Sequence, residues 1–297
     1  MSKSSICLLN TRPEHQSQPL DELLNANGFQ TLPCPSLEIV GKTISPKQRQ
    51  SLDELVSQKS FDAIFITSVN ALVGWVNQCP EHFVRNNAPV QMKAKDTGRL
   101  NFDLKDVSLV HELACPVFAI GEATAQAAQN LGLQVKLFPR KQFVSEDLMQ
   151  QILLDFQVFA DVPPRRVALL SGVGGRNVIK TQLSEQGSLV EEFELYRRQP
   201  AQFCFDSWRV FVKSSRPVIL VSSLESWQSL FTLLVDWDSD YQSFKNSVWQ
   251  SIESWLVFSP RIKQSMVEQG VPEAKICVVS IQSNQGILDS LQRMSLP

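Results

Sequence analysis

The chain has 297 residues, 43% hydrophobic and 20% charged, enough to bury two ordinary cores and too balanced for a disordered or fibrous protein. A formal net charge of −2 leaves no basic footprint for nucleic acid, and no run approaches the roughly 18 apolar residues of a membrane helix. Met1-Ser2-Lys3-Ser4-Ser5 leads straight into a strand-like run without the apolar region of a signal peptide, so the cytoplasm is the expected compartment.

The first predicted element is a strand, Ile6-Cys7-Leu8-Leu9-Asn10. Thr11-Arg12-Pro13-Glu14 then reads as a capping box, with Thr11 at the N-cap and Glu14 at N3. A helix follows with Leu20, Leu23 and Leu24 on one face and stops at Asn27-Gly28. The strand Asp62 to Ile66 hands over at Thr67-Ser68-Val69-Asn70. Asn86 to Glu112 is polar, contains Gln91-Met92-Lys93-Ala94-Lys95-Asp96-Thr97-Gly98-Arg99, and is expected as a loop insertion. Pro116 to Ile120 is another strand, followed by Gly121-Glu122-Ala123-Thr124 and a helix ending at Gly132. Val144-Ser145-Glu146 opens a helix with Leu148, Ile152 and Phe156 inward.

The strand starting at Val167 ends in a glycine-rich turn, Gly172-Val173-Gly174-Gly175-Arg176, that opens a helix. Asn177 stands where a dinucleotide fingerprint needs glycine, and no Gly-Lys-Ser/Thr follows, so nucleotide binding is a weak signal. That helix stops at Gln186-Gly187, and the next strand closes at Tyr196-Arg197-Arg198. Pro217 to Val221 leads through Ser222-Ser223 into a helix with Leu224, Trp227, Leu230, Phe231 and Leu234 on its core face. Asp236 to Gln250 carries Trp237, Tyr241, Phe244 and Trp249, read as packing anchors. Trp255 to Phe258 then runs into Ser259-Pro260-Arg261 and a helix ending at Gly270, and the last helix presents Ile287, Leu288, Leu291 and Met294.

Apolar strands alternating with amphipathic helices define an α/β fold of parallel sheets covered on both faces. The order is written twice. Ile6 to Thr11 is answered by Val167 to Gly172, Asp62 to Ser68 by Pro217 to Ser223, and Pro116 to Gly121 by Trp255 to Pro260. A repeat of this size predicts two similar domains facing across a cleft and not a solenoid.

Cys7, Cys34, Cys79, Cys115, Cys204 and Cys277 contain no CxxC pair and have no neighbouring His, so they read as buried structural thiols, not zinc ligands or a redox dithiol. His15, His82 and His111 are equally isolated, which argues against a triad or metal centre. What recurs at the strand ends is a hydroxyl or a glycine. Thr11, Ser68 with Asn70, Thr124, Ser145, Gly175, Ser222 and Ser259 each read singly as part of a helix cap. Together they ring a site with helix N-termini, whose free N–H groups and positive dipole ends suit a ligand bearing many carboxylates. Arg12 and Arg176 are the nearest cations. Arg12 either grips a carboxylate or lies on the surface beside Glu14, and Arg176 either meets the ligand or stabilises its own turn.

Six motifs carry a family resemblance: Thr11-Arg12-Pro13, Thr67-Ser68-x-Asn70-Ala71, Ala119-Ile120-Gly121-x-x-Thr124-Ala125, Ser145-Glu146-x-Leu148, Gly174-Gly175-Arg176 and Tyr196-x-Arg198. In this order the chain resembles the uroporphyrinogen-III synthase family over nearly its whole length. The resemblance implies two similar flavodoxin-like α/β domains joined by a two-stranded linker, with the active site in the cleft and neither cofactor nor metal. Each domain takes its first strand–helix unit from the other half of the chain. Domain one would be residues 1–37 plus 201–297, domain two 41–196, and the linkers 37–40 and 197–200.

The implied reaction closes hydroxymethylbilane to uroporphyrinogen III, with loss of water and inversion of ring D through a spiro intermediate. A monomer is implied, in transient contact with hydroxymethylbilane synthase. Tyr196 matches the family's cleft tyrosine and would protonate the departing hydroxyl, while Thr11, Arg12, Ser68, Asn70, Thr124, Ser145, Gly175, Arg176, Ser222 and Ser259 would bind substrate. Ser171 and Arg261-Ile262 depart from the family pattern. Two other classes share the doubled pattern: a two-domain binding or sensor protein without catalysis, and a nucleotide-dependent α/β enzyme using the Gly172 to Arg176 turn.

Overall fold

The computed structural model describes residues 6–57, 60–90, 100, 104–137, 164–175, 177–237 and 250–296. The chain runs through β1 (Ile6–Asn10), α1 (Glu14–Ala26), β2 (Gln30–Pro33), β3 (Leu37–Gly41), α2 (Pro46–Ser57), β4 (Ala63–Ile66) and α3 (Val69–Gln78). Next come β5 (Phe83–Arg85), β6 (Ala88–Pro89), β7 (Val107–Leu109), β8 (Val117–Ala119), α4 (Glu122–Asn130), β9 (Val135–Leu137), β10 (Arg166–Gly172), α5 (Val178–Glu185) and β11 (Leu189–Pro200). The last part holds α6 (Phe205–Phe211), β12 (Arg216–Val221), α7 (Leu224–Trp237), β13 (Ser254–Val257), α8 (Pro260–Glu268), β14 (Ile276–Val278) and α9 (Asn284–Met294). Two units result: Met1–Glu38 with Gln199–Pro297, and Ile39–Arg198.

The first unit is built on a parallel sheet ordered β14-β13-β12-β1-β2. Counted along the chain, this is the flavodoxin-like order 2-1-3-4-5. Strand alternation divides its core into two layers. Ile6 and Leu8 of β1 meet Leu20 and Leu24 of α1 and Ile287 and Leu291 of α9 on one face. Cys7 and Leu9 meet Trp208 of α6, Trp227 and Leu230 of α7, and Ile262 and Met266 of α8 on the other.

The second unit has the order β3-β11-β10-β4-β8-β9. With β10 and β11 counted as its first two strands, the same 2-1-3-4-5 appears, extended by β3 at the edge. Ile64, Ile66, Ala168 and Leu170 face α2, α3 and α4, and Ala63, Phe65, Val167 and Leu169 face Ile179 and Leu183 of α5. The doubled sequence pattern is thereby explained: β1 and β10, β4 and β12, and β8 and β13 hold equivalent places in the two strand orders. Gly28 after α1 and Gly187 after α5, at φ +80° and +88°, stop the equivalent first helices in a conformation that other residues resist.

Within residues 86–112, expected as loop, β6 and β7 each pair antiparallel with the preceding β5, giving a small sheet ordered β6-β5-β7. Asn86 and Asn87 link β5 to β6 with φ 50° and 64°, the positive pair that a two-residue hairpin turn needs and asparagine tolerates. Val90 and Leu100 are buried in the α2–α4 layer, and the Leu100 N–H donates to Ile39 O at 2.9 Å. The helix expected at Leu148, Ile152 and Phe156, and the anchors Tyr241, Phe244 and Trp249, lie outside the described residues.

Candidate active site

Open parallel sheets bind ligands beyond the carboxyl ends of the strands, where the strand order reverses. In the unit of residues 39–198 that point lies between β10 and β4, and β11 delivers Tyr196 beside it. Ser171 of β10 pairs with Glu194 but Gly172 pairs with Tyr196, so β11 carries a bulge. The extra residue breaks the period-two alternation. Leu195 and Tyr196, though adjacent, therefore both join the α2–α4 core, and Tyr196 is only 2% exposed.

Gly172 makes room for the ring. A Cβ there would stand 2.4 Å from Tyr196 Cζ and 2.7 Å from Cε1 and Cε2. The turn's first glycine is thus covered by the tyrosine ring. Ser68 Oγ donates to the Tyr196 hydroxyl at 3.0 Å and accepts from the Ala71 N–H at 3.2 Å, capping α3 at the same time. Arg198 Nη2 donates to the same phenol oxygen at 3.2 Å, with its guanidinium carbon 5.5 Å from the ring centroid. The oxygen accepts both bonds, which leaves its own proton to donate elsewhere.

The equivalent point of the other unit lies between β1 and β12. Thr11 is fully buried and donates its hydroxyl to Leu220 O of β12. The capping box is not formed: α1 begins at Glu14 behind Pro13, without a side-chain cap, because the Thr11 hydroxyl is used across the sheet. Thr67 makes the mirror contact in the second unit, Oγ1 donating to Leu170 O at 3.1 Å.

Arg12 does not lie on the surface beside Glu14. It is 9% exposed, its Nη1 donates to Asn284 Oδ1 at 2.6 Å, and its guanidinium carbon sits 5.0 Å from the Phe258 ring centroid. Among the described residues no carboxylate forms an ion pair with it. Burial pulls the guanidinium down to about 10, with Asp21 partly opposing. Burying a cation is costly, and the Asp21 charge offsets part of that cost. Asn284 was missed by sequence reasoning, although Ser283-Asn284-Gln285-Gly286 ahead of Ile287 is an N-cap pattern; Ser283 Oγ accepts from the Gly286 N–H at 3.0 Å.

The other strand ends are varied. Ser259 caps α8, accepting from the Ile262 N–H at 3.4 Å. At α7 the cap is Ser223, accepting from the Ser226 N–H at 3.0 Å, and Ser222 precedes it half-buried. Gly121, at φ +93°, opens α4 without a side chain, and Thr124 is buried in that first turn. Asn70 is buried in the first turn of α3, whereas Gly175 is exposed ahead of α5 with its N–H on Gly172 O at 3.2 Å. Ser145 and Arg176 lie outside the described residues.

Two side-chain clusters answer to residues read as isolated. His82 Nε2 lies 3.0 Å from Asp53 Oδ1, and Arg49 pairs with both Asp53 and Glu81. Asp53, Glu81 and His82 have metal-ligand types within 4.8 Å of one another, but the guanidinium between the carboxylates makes the cluster an ion-pair network. Cys34 and Cys204, distant in sequence, share the apolar layer of the first unit and interact electrostatically.

Strand order and site together define a two-domain, doubly wound α/β protein with a tyrosine held at the switch point of one sheet. Residues 18–274 match the family model described as uroporphyrinogen-III synthase HemD. The chain belongs to that family. It is 28% identical over 178 residues to uroporphyrinogen-III synthase of Escherichia coli K12, covering 59% of this chain and 66% of that protein. To the Proteus mirabilis uroporphyrinogen-III synthase it is 26% identical over 192 residues, covering 64% and 79% of the two chains. Among solved structures, uroporphyrinogen-III synthetase from Helicobacter pylori 26695 aligns over 98% of this chain and 99% of that one, with TM-score 0.53 and 14% identity. A mutant uroporphyrinogen III synthase from Thermus thermophilus aligns over the same shares with TM-score 0.52 and 13% identity. At such identities the likeness is one of fold. No described helix is long and apolar enough to cross a membrane.

Proposed function

We propose that this chain closes hydroxymethylbilane to uroporphyrinogen III, with loss of water and inversion of ring D, and that Tyr196 is its general acid. Loss of the ring-A hydroxyl leaves an azafulvene cation; the substituted carbon of ring D attacks it to form a spiro-pyrrolenine, and fragmentation and reclosure invert that ring. The linear substrate closes unaided, without inversion, so the protein's main contribution is orientation. One proton donor at the leaving hydroxyl completes the requirement.

The observation that carries this reading is the phenol oxygen accepting from Ser68 and Arg198, with its proton left for substrate. As that proton departs, the same two donors stabilise the phenolate. Carboxylate arms are held by the helix starts at Ser68, Asn70, Thr124, Gly175, Ser222 and Ser259 with Arg12 as a cation, and Ser145 and Arg176, outside the described residues, are further candidates. Thr11, its hydroxyl committed to Leu220, contributes through the backbone it orients. The same reading includes a cytoplasmic monomer receiving its unstable substrate in transient contact with hydroxymethylbilane synthase.

The test offers freshly made hydroxymethylbilane and separates the oxidised products. Isomer III is expected, and Tyr196→Phe lowers turnover roughly tenfold or more, toward the low end for acid–base groups because the leaving group is labile. Isomer I alone, as in the protein-free control, sinks the synthase reading. A Tyr196→Phe protein within about twofold of wild type removes the phenol from the mechanism but leaves the synthase reading standing.

A further inference from the structure

The strands β3 and β11 are the two stretches of chain that pass between the units, and they are neighbours in one sheet. Just before β3, Cys34 follows the end of β2 with its N–H on Asn10 O at 2.8 Å. Just after β11, Cys204 sits at the N-cap of α6. The two short segments are fastened to one another: the Ala201 N–H donates to Ser36 O at 3.1 Å. Ser36 is itself held by Ser229 Oγ, which donates to its carbonyl at 2.6 Å, and its own hydroxyl lies 2.9 Å from Ser226 Oγ. Both thiols belong to the same apolar layer, with Phe203, Trp208 and Phe211. Cys34 is 1% exposed, whereas Cys204 is half-buried and reachable from solvent.

We propose that Cys34 and Cys204 form an oxidant-responsive dithiol: a peroxide attacks at Cys204, and Cys34 resolves the product to an intramolecular disulfide where the two crossing strands meet their first unit.

The chemistry balances without help from the synthase reaction. The Cys204 thiolate attacks a peroxide oxygen and breaks the O–O bond; sulfenic acid and hydroxide result. The Cys34 sulfur then attacks the Cys204 sulfur, forming the S–S bond and expelling the sulfenic oxygen as water. Two thiols are oxidised and one hydrogen peroxide is reduced to two waters.

Geometry and electrostatics assign the same order of events. Cys204 is the thiol that solvent reaches, and the neighbouring Cys34 draws its pKa below the ordinary thiol value, against the opposing effect of burial. Cys34 is driven the other way by Cys204 and by burial, and at 1% exposure it is shielded from a peroxide in solution. Cys7 and Cys115 are raised by burial first, Cys115 to about 11, and Cys79 is raised by burial beside Asp53 and Glu81. Those thiols are correspondingly poor nucleophiles toward peroxide.

The test uses the reduced, full-length protein titrated with hydrogen peroxide, analysed by intact mass and non-reducing peptide mapping. The expected product has lost two hydrogens, carries a Cys34–Cys204 cross-linked peptide, and is reversed by a dithiol reductant. Cys34→Ser arrests the reaction at an oxidised Cys204 that a sulfenic-acid reagent traps, and Cys204→Ser abolishes the cross-link; circular dichroism checks that both remain folded. Oxygen gained at Cys115 or Cys277 ahead of any 34–204 cross-link overturns the proposal. So does an oxidised Cys204 that persists in the wild-type chain. Since the readout is covalent, its failure leaves the synthase reading untouched.

Discussion

Gly172→Ala tests the active-site geometry more sharply than removal of any functional group. Gly172 is not among the glycines with positive φ, so alanine meets no backbone penalty there, and only the Tyr196 ring, 2.4 Å from the new Cβ, objects. Carbon–carbon contact needs about 3.5 Å, so the ring must retreat by roughly 1 Å. The phenol is held at 3.0 Å by Ser68 and 3.2 Å by Arg198, and such a retreat breaks one or both bonds. Overpacking costs about 1–3 kcal/mol and each lost hydrogen bond about 0.5–1.5 kcal/mol, so we expect a loss of roughly 2–4 kcal/mol. A misplacement of that size costs turnover up to about a hundredfold, and a loss between ten- and a hundredfold is expected. The assay follows isomer III formation from fresh hydroxymethylbilane alongside thermal unfolding. In a Tyr196→Phe background the alanine should add little further loss, because both changes remove the same proton donor. A Gly172→Ala protein that keeps turnover within about twofold of wild type refutes the argument that ring position matters.

Arg12→Gln should leave the unfolding temperature unchanged or raise it, since it removes a buried cation that has no ion-pair partner among the described residues. The same change raises KM by about ten- to a hundredfold if the guanidinium holds a substrate carboxylate, as charged hydrogen bonds of about 1.5–3 kcal/mol require. Lower stability with an unaltered KM would assign Arg12 to structure alone. Ser68→Ala loses a helix cap worth about 1 kcal/mol together with a donor to the phenol, so stability and kcat fall together. Ser68→Thr retains the hydroxyl and should recover both; kinetics and thermal melts on the pair check this.

Much of the architecture was legible before any coordinates. Apolar strands such as Ile6 to Leu9 and Ala63 to Ile66, separated by helical stripes, specify parallel sheets because both faces of those strands must be covered. Glycine stops such as Gly28 and Gly187 mark helix ends through local backbone chemistry alone. Caps at Ser68 and Ser259 were equally visible, since a cap bonds only three residues ahead. Thr11 failed the same test because its hydroxyl had a competing partner, Leu220, more than two hundred residues away.

The same division runs through the site. Sequence by itself determined the strand order's repeating units, the residue types at the strand ends and the tyrosine that closes β11, all consequences of local periodicity and local hydrogen bonding. Only the tertiary structure decided which face that tyrosine takes, because a one-residue bulge against β10 overrides the alternation. It alone turned Arg12 inward onto Phe258 and Asn284, and brought Cys34 to Cys204. These depend on which distant segments pack together, and no periodicity in either partner records the distance to the other.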